Sequence, residues 1–584
     1  MESRRKPQYE NRDPSIFFLL ALLGSAAWAE DPKPKHWSFK EMGRVPTLNA
    51  GRMKPFDSYA RETVLFITGA HSLPGWDPMD LFFSWLARPD YWSNQPIIKI
   101  SNHQLLKQLL LSDQISRFSP RELIQNPVLI QYAQEMGRTD SGLSPKQVVQ
   151  SVSSQPDPRE QELKHVLDRL SLYRAVTSGA AIQIVPVAGK EAWENVAQSD
   201  PLLDPLRRGF LEVVKAYYDS KENEFESKSA RLREMIQKMA PGWNASIERK
   251  VRLESLYDRA RPFRTACTLY LLAGILLMCS LMFASPGISS PRARLEKTFT
   301  IGGQISLAVA FLSHLFGFAL RVYIAGRPPV SNMYESVAWV SFGVLFFSFV
   351  IFGLYRQRVV LSAGALVGGL ILFAADSAPA VMDPSIHTLV PVLRSNYWLT
   401  IHVLTITLGY AAFALSLGIS NASLYQYLKG ALGKVKSSDV SLRTHHLGLL
   451  SYRAMQFGTV LLAAGTILGG VWADYSWGRF WGWDPKETWA LIALLCYLAV
   501  LHGRYAGWVR PFGFAMWGVI CFMSVLMAWY GVNFVLGVGL HSYGFSSGGI
   551  SFVLIYMGIQ LAFVFWVLLA RKIQQSKSDQ SIPT

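Results

Sequence analysis

From Thr265 onward the chain is a succession of apolar runs, most of them long enough to cross about 30 Å of hydrocarbon as a helix. The pattern places nine spans at roughly 265–285, 299–323, 336–354, 359–376, 397–427, 451–474, 488–503, 512–536 and 549–570. Residues 30–264 differ sharply, with charges scattered throughout and apolar residues at three- and four-residue spacing. The expected fold is therefore an all-α polytopic membrane protein with about nine transmembrane helices and a mostly helical N-terminal extracytoplasmic domain. The net charge of +16 does not call for nucleic acid. Lys and Arg gather in the short segments between apolar runs, as membrane orientation requires. With the first span entering from outside, the inside segments carry Arg292, Arg294 and Lys297; Arg356 and Arg358; Lys429, Lys434, Lys436 and Arg443; Arg504 and Arg510; and Arg571 and Lys572. Each is basic. The expected location is the inner (cytoplasmic) membrane of a bacterium, with the N-terminal domain and the alternate loops periplasmic.

The N-terminus supports that orientation. Arg4, Arg5 and Lys6 precede a short apolar core at Ile16–Leu23, and Ala27-Trp28-Ala29 supplies small residues where a signal peptidase cuts. Residues 1–29 read as a signal peptide, with an uncleaved anchor as the alternative. Either one delivers the following domain outside the cytoplasm. The expected divisions are 30–264, the first membrane helices at 265–323, a membrane domain at 324–571 and a tail at 572–584. Helices are expected at Asn102–Leu111 and Arg159–Ala175, with starts at Ser119-Pro120 and Ser144-Pro145. The charged stretch Lys221–Arg261 is expected to be one helix feeding the first span. His36, His71, His103 and His165 are isolated, and no catalytic constellation appears in this domain. Cys267, Cys279, Cys496 and Cys521 all lie in apolar runs without a C-x-x-C spacing, so thiol exchange by this chain is not expected.

The densest chemical signal is residues 472–489, where Trp472, Trp477, Trp481, Trp483 and Trp489 are interleaved with Gly478, Gly482, Asp484, Pro485 and Glu487. An interfacial aromatic belt explains the indoles alone. It does not explain the glycines, which let backbone approach a large flat object while indoles supply stacking faces. A flat macrocycle with a metal needs axial ligands, and imidazole is the usual one for haem iron. His402, at the start of the fifth span, and His541, just after the eighth, fall on the same face as the Trp residues. His502 lies at the inner end of the seventh span and His314 within the second. Both are candidates because ionisable groups in membrane spans are usually functional. His502 competes with a plain interfacial role, and a His314–His502 pair is the weaker reading. His387, His445 and His446 lie in loops with nothing to raise them. Arg479, Lys486 and Arg394 are candidates for pairing with haem propionates. Asp484 and Glu487 are the candidate catalytic groups, as proton donors or as residues that orient the loop or a ligand.

WGRFWGWDPKETWALI, with WLTIHVLTITLGY upstream and GVGLHSYGF downstream, closely resembles the CcsA (ResC) proteins of the system II cytochrome c maturation pathway. The resemblance runs from about Arg321 to Leu569 and takes in Pro328–Ser336. It implies a tryptophan-rich (WWD) haem-handling domain, b-type haem as bound substrate, His402 and His541 as external axial ligands, and His502 in a transmembrane haem site used in transport. It further implies a CcsB (ResB)-like membrane partner supplying the second transmembrane ligand, apocytochrome c as recipient, and thiol-reducing proteins of the same pathway. The expected activity is presentation of haem for thioether attachment to Cys-x-x-Cys-His motifs, a haem lyase role, together with haem export. The alternatives are an exporter or chaperone without ligation activity, and a b-type cytochrome of electron transfer. Gly43–Glu62 looks like the segment that precedes the CcsA half in extended versions.

Overall fold

A computed structural model of the chain describes residues 31–100, 102–139, 158–186, 193–197, 204–240, 243–283, 291–379, 382–389, 395–536 and 550–580. The expectations for residues 1–29 and for a helix start at Ser144 lie outside these. The chain divides into two compact units, Met1–Leu256 and Tyr257–Thr584.

In the first unit, helices surround an aromatic core in which Phe56 meets Phe82 edge-on at 5.3 Å and Phe83 meets Phe225 at 5.1 Å. Within Gly43–Glu62, the strands Pro46–Asn49 and Arg52–Pro55 pair antiparallel, with Asn49 opposite Arg52. Ala50 and Gly51 both take positive φ (49° and 74°), as a two-residue hairpin turn with the right twist demands. Asp80, fully buried, is satisfied by the Tyr217 hydroxyl at 2.5 Å and the Lys35 amide at 2.6 Å. Burial and that carboxylate push the Tyr217 phenol well above its ordinary pKa. The expected helices appear as His103–Gln108 and Pro158–Thr177. Ser119 caps Pro120–Ile124 by accepting from the Glu122 amide at 3.2 Å. The single helix expected over Lys221–Arg261 is instead two, Glu222–Met239 and Ala245–Ala260. The sequence between the two helices holds Pro241 and Gly242, residue types that disfavour a continuous helix and that charge patterning alone does not weigh.

The second unit holds the apolar helices. Among the described residues nine segments are long and apolar enough to cross a membrane. In order they contain Pro262–Phe283, Pro291–Ala325, Met333–Tyr355, Arg358–Ser377, Leu399–Ala431, Ser437–Trp477, Pro485–Tyr505, Pro511–Leu536 and Val553–Ser576. They are called spans 1 to 9 below. The protein is a mostly helical, multi-pass membrane protein, with strand confined to three short pairs among the described residues. Neighbouring spans run antiparallel, so the turns 325–333 and 477–485 lie at the same end as Ser377, Leu399 and Leu536, and Tyr355, Arg358, Tyr505 and Pro511 lie at the other. Span 6 begins fourteen positions before the hydropathy signal, at Ser437 rather than 451. His445 and His446 are therefore helical, not in a loop. Polar residues can extend a helix beyond the membrane without altering hydropathy inside it.

Spans 5 and 8 contain π-helical segments, Leu399–Val403 and Met527–Leu536. Spans 5 and 6 approach closely. A Cβ at Gly465 would fall 2.7 Å from Ile406 Cβ and 2.8 Å from its Cα. Only glycine permits that separation.

At the Trp-rich end a buried ion network joins spans 2 and 3. Glu335, in the first turn of span 3, accepts from Arg321 Nε at 2.7 Å and Arg327 Nη1 at 3.0 Å. It also takes the Ser331 amide at 2.8 Å. The remaining guanidinium donors reach the carbonyls of Pro384 (2.7 Å), Ser385 (2.9 Å) and His387 (2.9 Å), fastening the loop that follows span 4. Removing one member of such a pair leaves buried charge uncompensated, at a cost of about 3–5 kcal/mol. Glu335→Gln is expected to destabilise the detergent-solubilised protein by that order, read by thermal unfolding. Loss of under about 1 kcal/mol, the range of an exposed pair, would show the network to be dispensable.

Candidate functional site

His402 lies in the π-helical turn that opens span 5. Its Nδ1 sits 2.8 Å from the Gly465 carbonyl on span 6. A carbonyl only accepts, so Nδ1 carries the proton and the ring lone pair is on Nε2. That is the tautomer an imidazole ligand needs, set by its hydrogen bond. Gly469, one turn further along span 6, makes room for the ring: a Cβ there would fall 2.7 Å from His402 Cε1. Trp472 meets His402 edge-on at 5.8 Å and lies parallel to Trp398 at 6.4 Å and 9°. His402, Trp398 and Trp472 thus form one cluster on spans 5 and 6.

Span 6 ends at Trp477, where Gly478 takes φ 69° and its amide closes onto Asp474 O at 2.8 Å. The chain then folds back, with Phe480 packed over Gly470. Trp481 and Trp483 are perpendicular at 5.8 Å. Trp483 adopts φ 58° and is 70% exposed. An indole held at positive φ with most of its surface uncovered is strained backbone bought without burial, as ligand-facing residues often are. Trp477 is also exposed, while Trp489 is half-buried in the first turns of span 7. Arg479 lies over the Trp477 ring at 6.0 Å and fills the space that a side chain at Gly482 would take. It has no ion pair among the described residues.

Asp484 and Glu487 form a capping box at the start of span 7. Asp484 accepts from the Lys486 amide at 3.0 Å, and Glu487 from the amides of Gly482 (2.8 Å) and Asp484 (3.2 Å). Both carboxylates terminate a helix and shape the loop, and this geometry gives no support to a proton-donor role. Lys486 has a partner within the protein. Its ammonium donates to Asn533 Oδ1 at 3.2 Å, tying span 7 to the π-helical end of span 8. Trp529, on that same segment, donates to Ser336 Oγ at 3.2 Å. These cross-links lead directly to the segment that contains His541. His541 and Arg394 themselves lie outside the described residues.

The other histidines separate clearly. His502 is exposed at the opposite end of span 7, and its Nδ1 donates to Leu498 O at 2.8 Å, again placing the lone pair on Nε2. His314 is fully buried. Phe318 stacks on it at 4.9 Å, Phe263 and Phe342 meet it edge-on at 5.3 and 5.9 Å, and Tyr270 OH lies 3.2 Å from Nδ1. The His314 Nε2 is enclosed with the ring, and no contact among the described residues brings His314 to His502, so that pairing finds no support. His387 braces its loop, with Nε2 2.8 Å from Asp383 Oδ2. Among the described residues no cluster of three His, Cys, Asp or Glu could hold a metal ion. The four cysteines are unpaired thiols. Reading residue by residue overlooked Arg321, Arg327 and Glu335. An Arg and a Glu inside two adjacent apolar runs are the signal that would have found them.

Residues 330–541 match the Cytochrome C assembly protein family. The chain is 36% identical to the cytochrome c biogenesis protein CcsA of Synechococcus sp. strain CC9311 over 48% of its own length and 97% of that protein. It is 34% identical to CcsA of Prochlorococcus marinus strain SARG over 47% of its length and 93% of that protein. Protein NrfI of Wolinella succinogenes is 29% identical across 84% of this chain, which spans about half (53%) of NrfI. A match that wide cannot fit within Tyr257–Thr584 and extends into the N-terminal unit. The nine-span helical bundle, its tryptophan-rich loop and near-complete coverage of a CcsA together establish that this chain belongs to the CcsA family of cytochrome c biogenesis proteins.

Proposed function

We propose that this chain binds haem at the Trp-rich end, on the outer membrane face, with His402 and His541 as axial ligands, and presents it to apocytochrome c. The observation that supports this reading is the His402–Gly465 hydrogen bond, which orients the ring through Nδ1, so that iron would be bound through Nε2. Trp398 and Trp472 beside it, the uncovered Trp483, and Arg479 without an acidic partner suit a flat, dianionic macrocycle. Haem is the substrate. In the joining step a cysteine S–H adds across a vinyl C=C, sulfur bonding to the inner carbon and hydrogen to the terminal one, with no net oxidation. The chain's contribution is to hold the ring in place and to let the recipient motif's histidine take over one axial position, and position alone can be a large share of a rate. A CcsB-like membrane subunit is the expected partner, with thiol-reducing proteins keeping the recipient cysteines reduced.

A second step, export, is favoured by one observation: His502, exposed at the other end of the bundle, has the same ligand-ready tautomer. It would receive haem there, with the second ligand drawn from the partner.

The purified protein with its partner is expected to carry a haem absorption band that weakens in His402→Ala and in His541→Ala and returns with added imidazole. Unchanged spectra in both variants would remove the ligand assignment. Covalent haem on a Cys-x-x-Cys-His reporter, in a host without its own maturation system, separates a lyase from a bare exporter.

Gly469→Ala gives a sharper test of the groove. Alanine favours helix over glycine by about 1 kcal/mol, so the span itself should not weaken. The added methyl nevertheless collides with the imidazole at 2.7 Å. The expected outcome is unaltered thermal stability with haem absorbance falling towards the His402→Ala level. Full haem loading would show that the ring's seat is not set by Gly469.

A further inference from the structure

At the end of the bundle opposite the Trp-rich loop lies a cleft of about 260 Å³ between spans 5, 6, 8 and 9. Arg571 projects into it. The guanidinium packs against two rings that meet edge-on, 4.0 Å from the Phe512 centroid and 4.9 Å from that of Tyr427. It has no hydrogen-bond or carboxylate partner among the described residues. Ser437, Ser441, Thr444, His445 and Gln574 complete the polar wall. Thr444 donates to its own helix, at Val440 O, 2.8 Å. The hydroxyls of Ser437 and Ser441 have no such use among the described residues. Among the described residues no carboxylate lines the cleft.

A guanidinium oriented without a counter-charge, beside hydroxyls that can donate, favours an anionic ligand. The surroundings reinforce that sign: residues 426–450, 501–512 and 571–576 contain eight Lys or Arg against one acid, Asp439. The cleft lies below the roughly 300–1,000 Å³ of pockets for drug-sized molecules. A headgroup fits, and a whole tetrapyrrole does not. Span 9 supplies the remaining clue. Phe565, Trp566 and Leu569, just before Arg571, are 66%, 53% and 46% exposed, leaving an apolar flank for acyl chains beside the cation.

We propose that this cleft binds the phosphate of an anionic phospholipid, with Arg571 as the clamp, the hydroxyls of Ser437 and Ser441 as further donors, and the acyl chains along span 9. The bound lipid ties together the ends of four spans, independently of where haem is held.

The test uses the full chain, delipidated in detergent, with native mass spectrometry as the readout. Phosphatidylglycerol is expected to remain bound. Arg571→Gln should lower its retention about tenfold or more, the size of one lost charge-assisted hydrogen bond. Lys572→Gln, which removes an equal charge from outside the cleft, should change it little. Ser441→Leu fills the cleft while keeping every charge, and should also abolish retention if Arg571→Gln does not fold. Equal losses from Lys572→Gln and Arg571→Gln would reduce the effect to diffuse surface charge and overturn the site. Displacement of the lipid by millimolar inorganic phosphate would assign the cleft to the free anion. Displacement by protoporphyrin, whose carboxylates share the acceptor chemistry, would assign it to the transported substrate. Either displacement overturns the lipid assignment.

Discussion

A single carboxylate fixes much of the Trp-rich end. Glu335 is buried between Arg321 and Arg327, and one negative charge cannot neutralise two guanidiniums. The excess is settled by backbone dipoles, because the carbonyls of Pro384, Ser385 and His387 converge on the remaining N–H donors. Pro384, Ser385 and His387, in the loop after span 4, are therefore tied to this network. Their carbonyls are the counter-charge. That loop feeds the π-helical turn that carries His402. Ser336, next to Glu335, accepts from Trp529 and so carries the same constraint to span 8. Burying an ion pair contributes little net stability against an apolar core. What it provides here is register for two spans and a loop.

The spans were legible because membrane solvent imposes length and hydropathy on every helix that crosses it. Fine structure within them was not. Hydropathy does not register the one-residue insertion of a π turn, yet the two π segments are where His402 sits and where the chain leads towards His541. Nor does it register Gly465 and Gly469, whose role depends on the distance to a facing helix. His402 was legible as a candidate from its position at a span end. Its tautomer required the facing carbonyl of Gly465.

Asp484 and Glu487 teach a different lesson. A carboxylate pair beside a tryptophan cluster invites an acid–base reading. The sequence Asp484-Pro485-Lys486-Glu487 is equally a helix start, with an acidic cap, proline in the first turn and glutamate three places on. The geometry takes the second reading: both side chains satisfy amide donors that span 7 would otherwise leave open. A helix cap at this point also aims the loop, since Glu487 holds the Gly482 amide and so sets the path between Trp481 and Trp483. The carboxylates serve the site through the backbone.

The arginines of the membrane unit sort by how their charge is met, and the sorting separates scaffold from ligand-facing groups. Arg321 and Arg327 are met by carboxylate, carbonyl and hydroxyl oxygens. Arg479 and Arg571 are met by aromatic faces. A ring holds a guanidinium through its π face while leaving the in-plane N–H donors unspent. Such a residue is oriented without being neutralised, and an incoming anion need displace nothing. By this criterion Arg479 at the Trp-rich end, and Arg571 and Arg504 at the basic end, keep donors for an anion, and the ligands proposed for Arg479 and Arg571 differ with their surroundings. Arg479 lies among exposed indoles, which suits an anionic group attached to a large flat ring. Arg571 stands in a small cleft beside an apolar helix flank, which suits a compact anion attached to acyl chains. Exchanging the two environments, not the two arginines, would be needed to exchange their ligands.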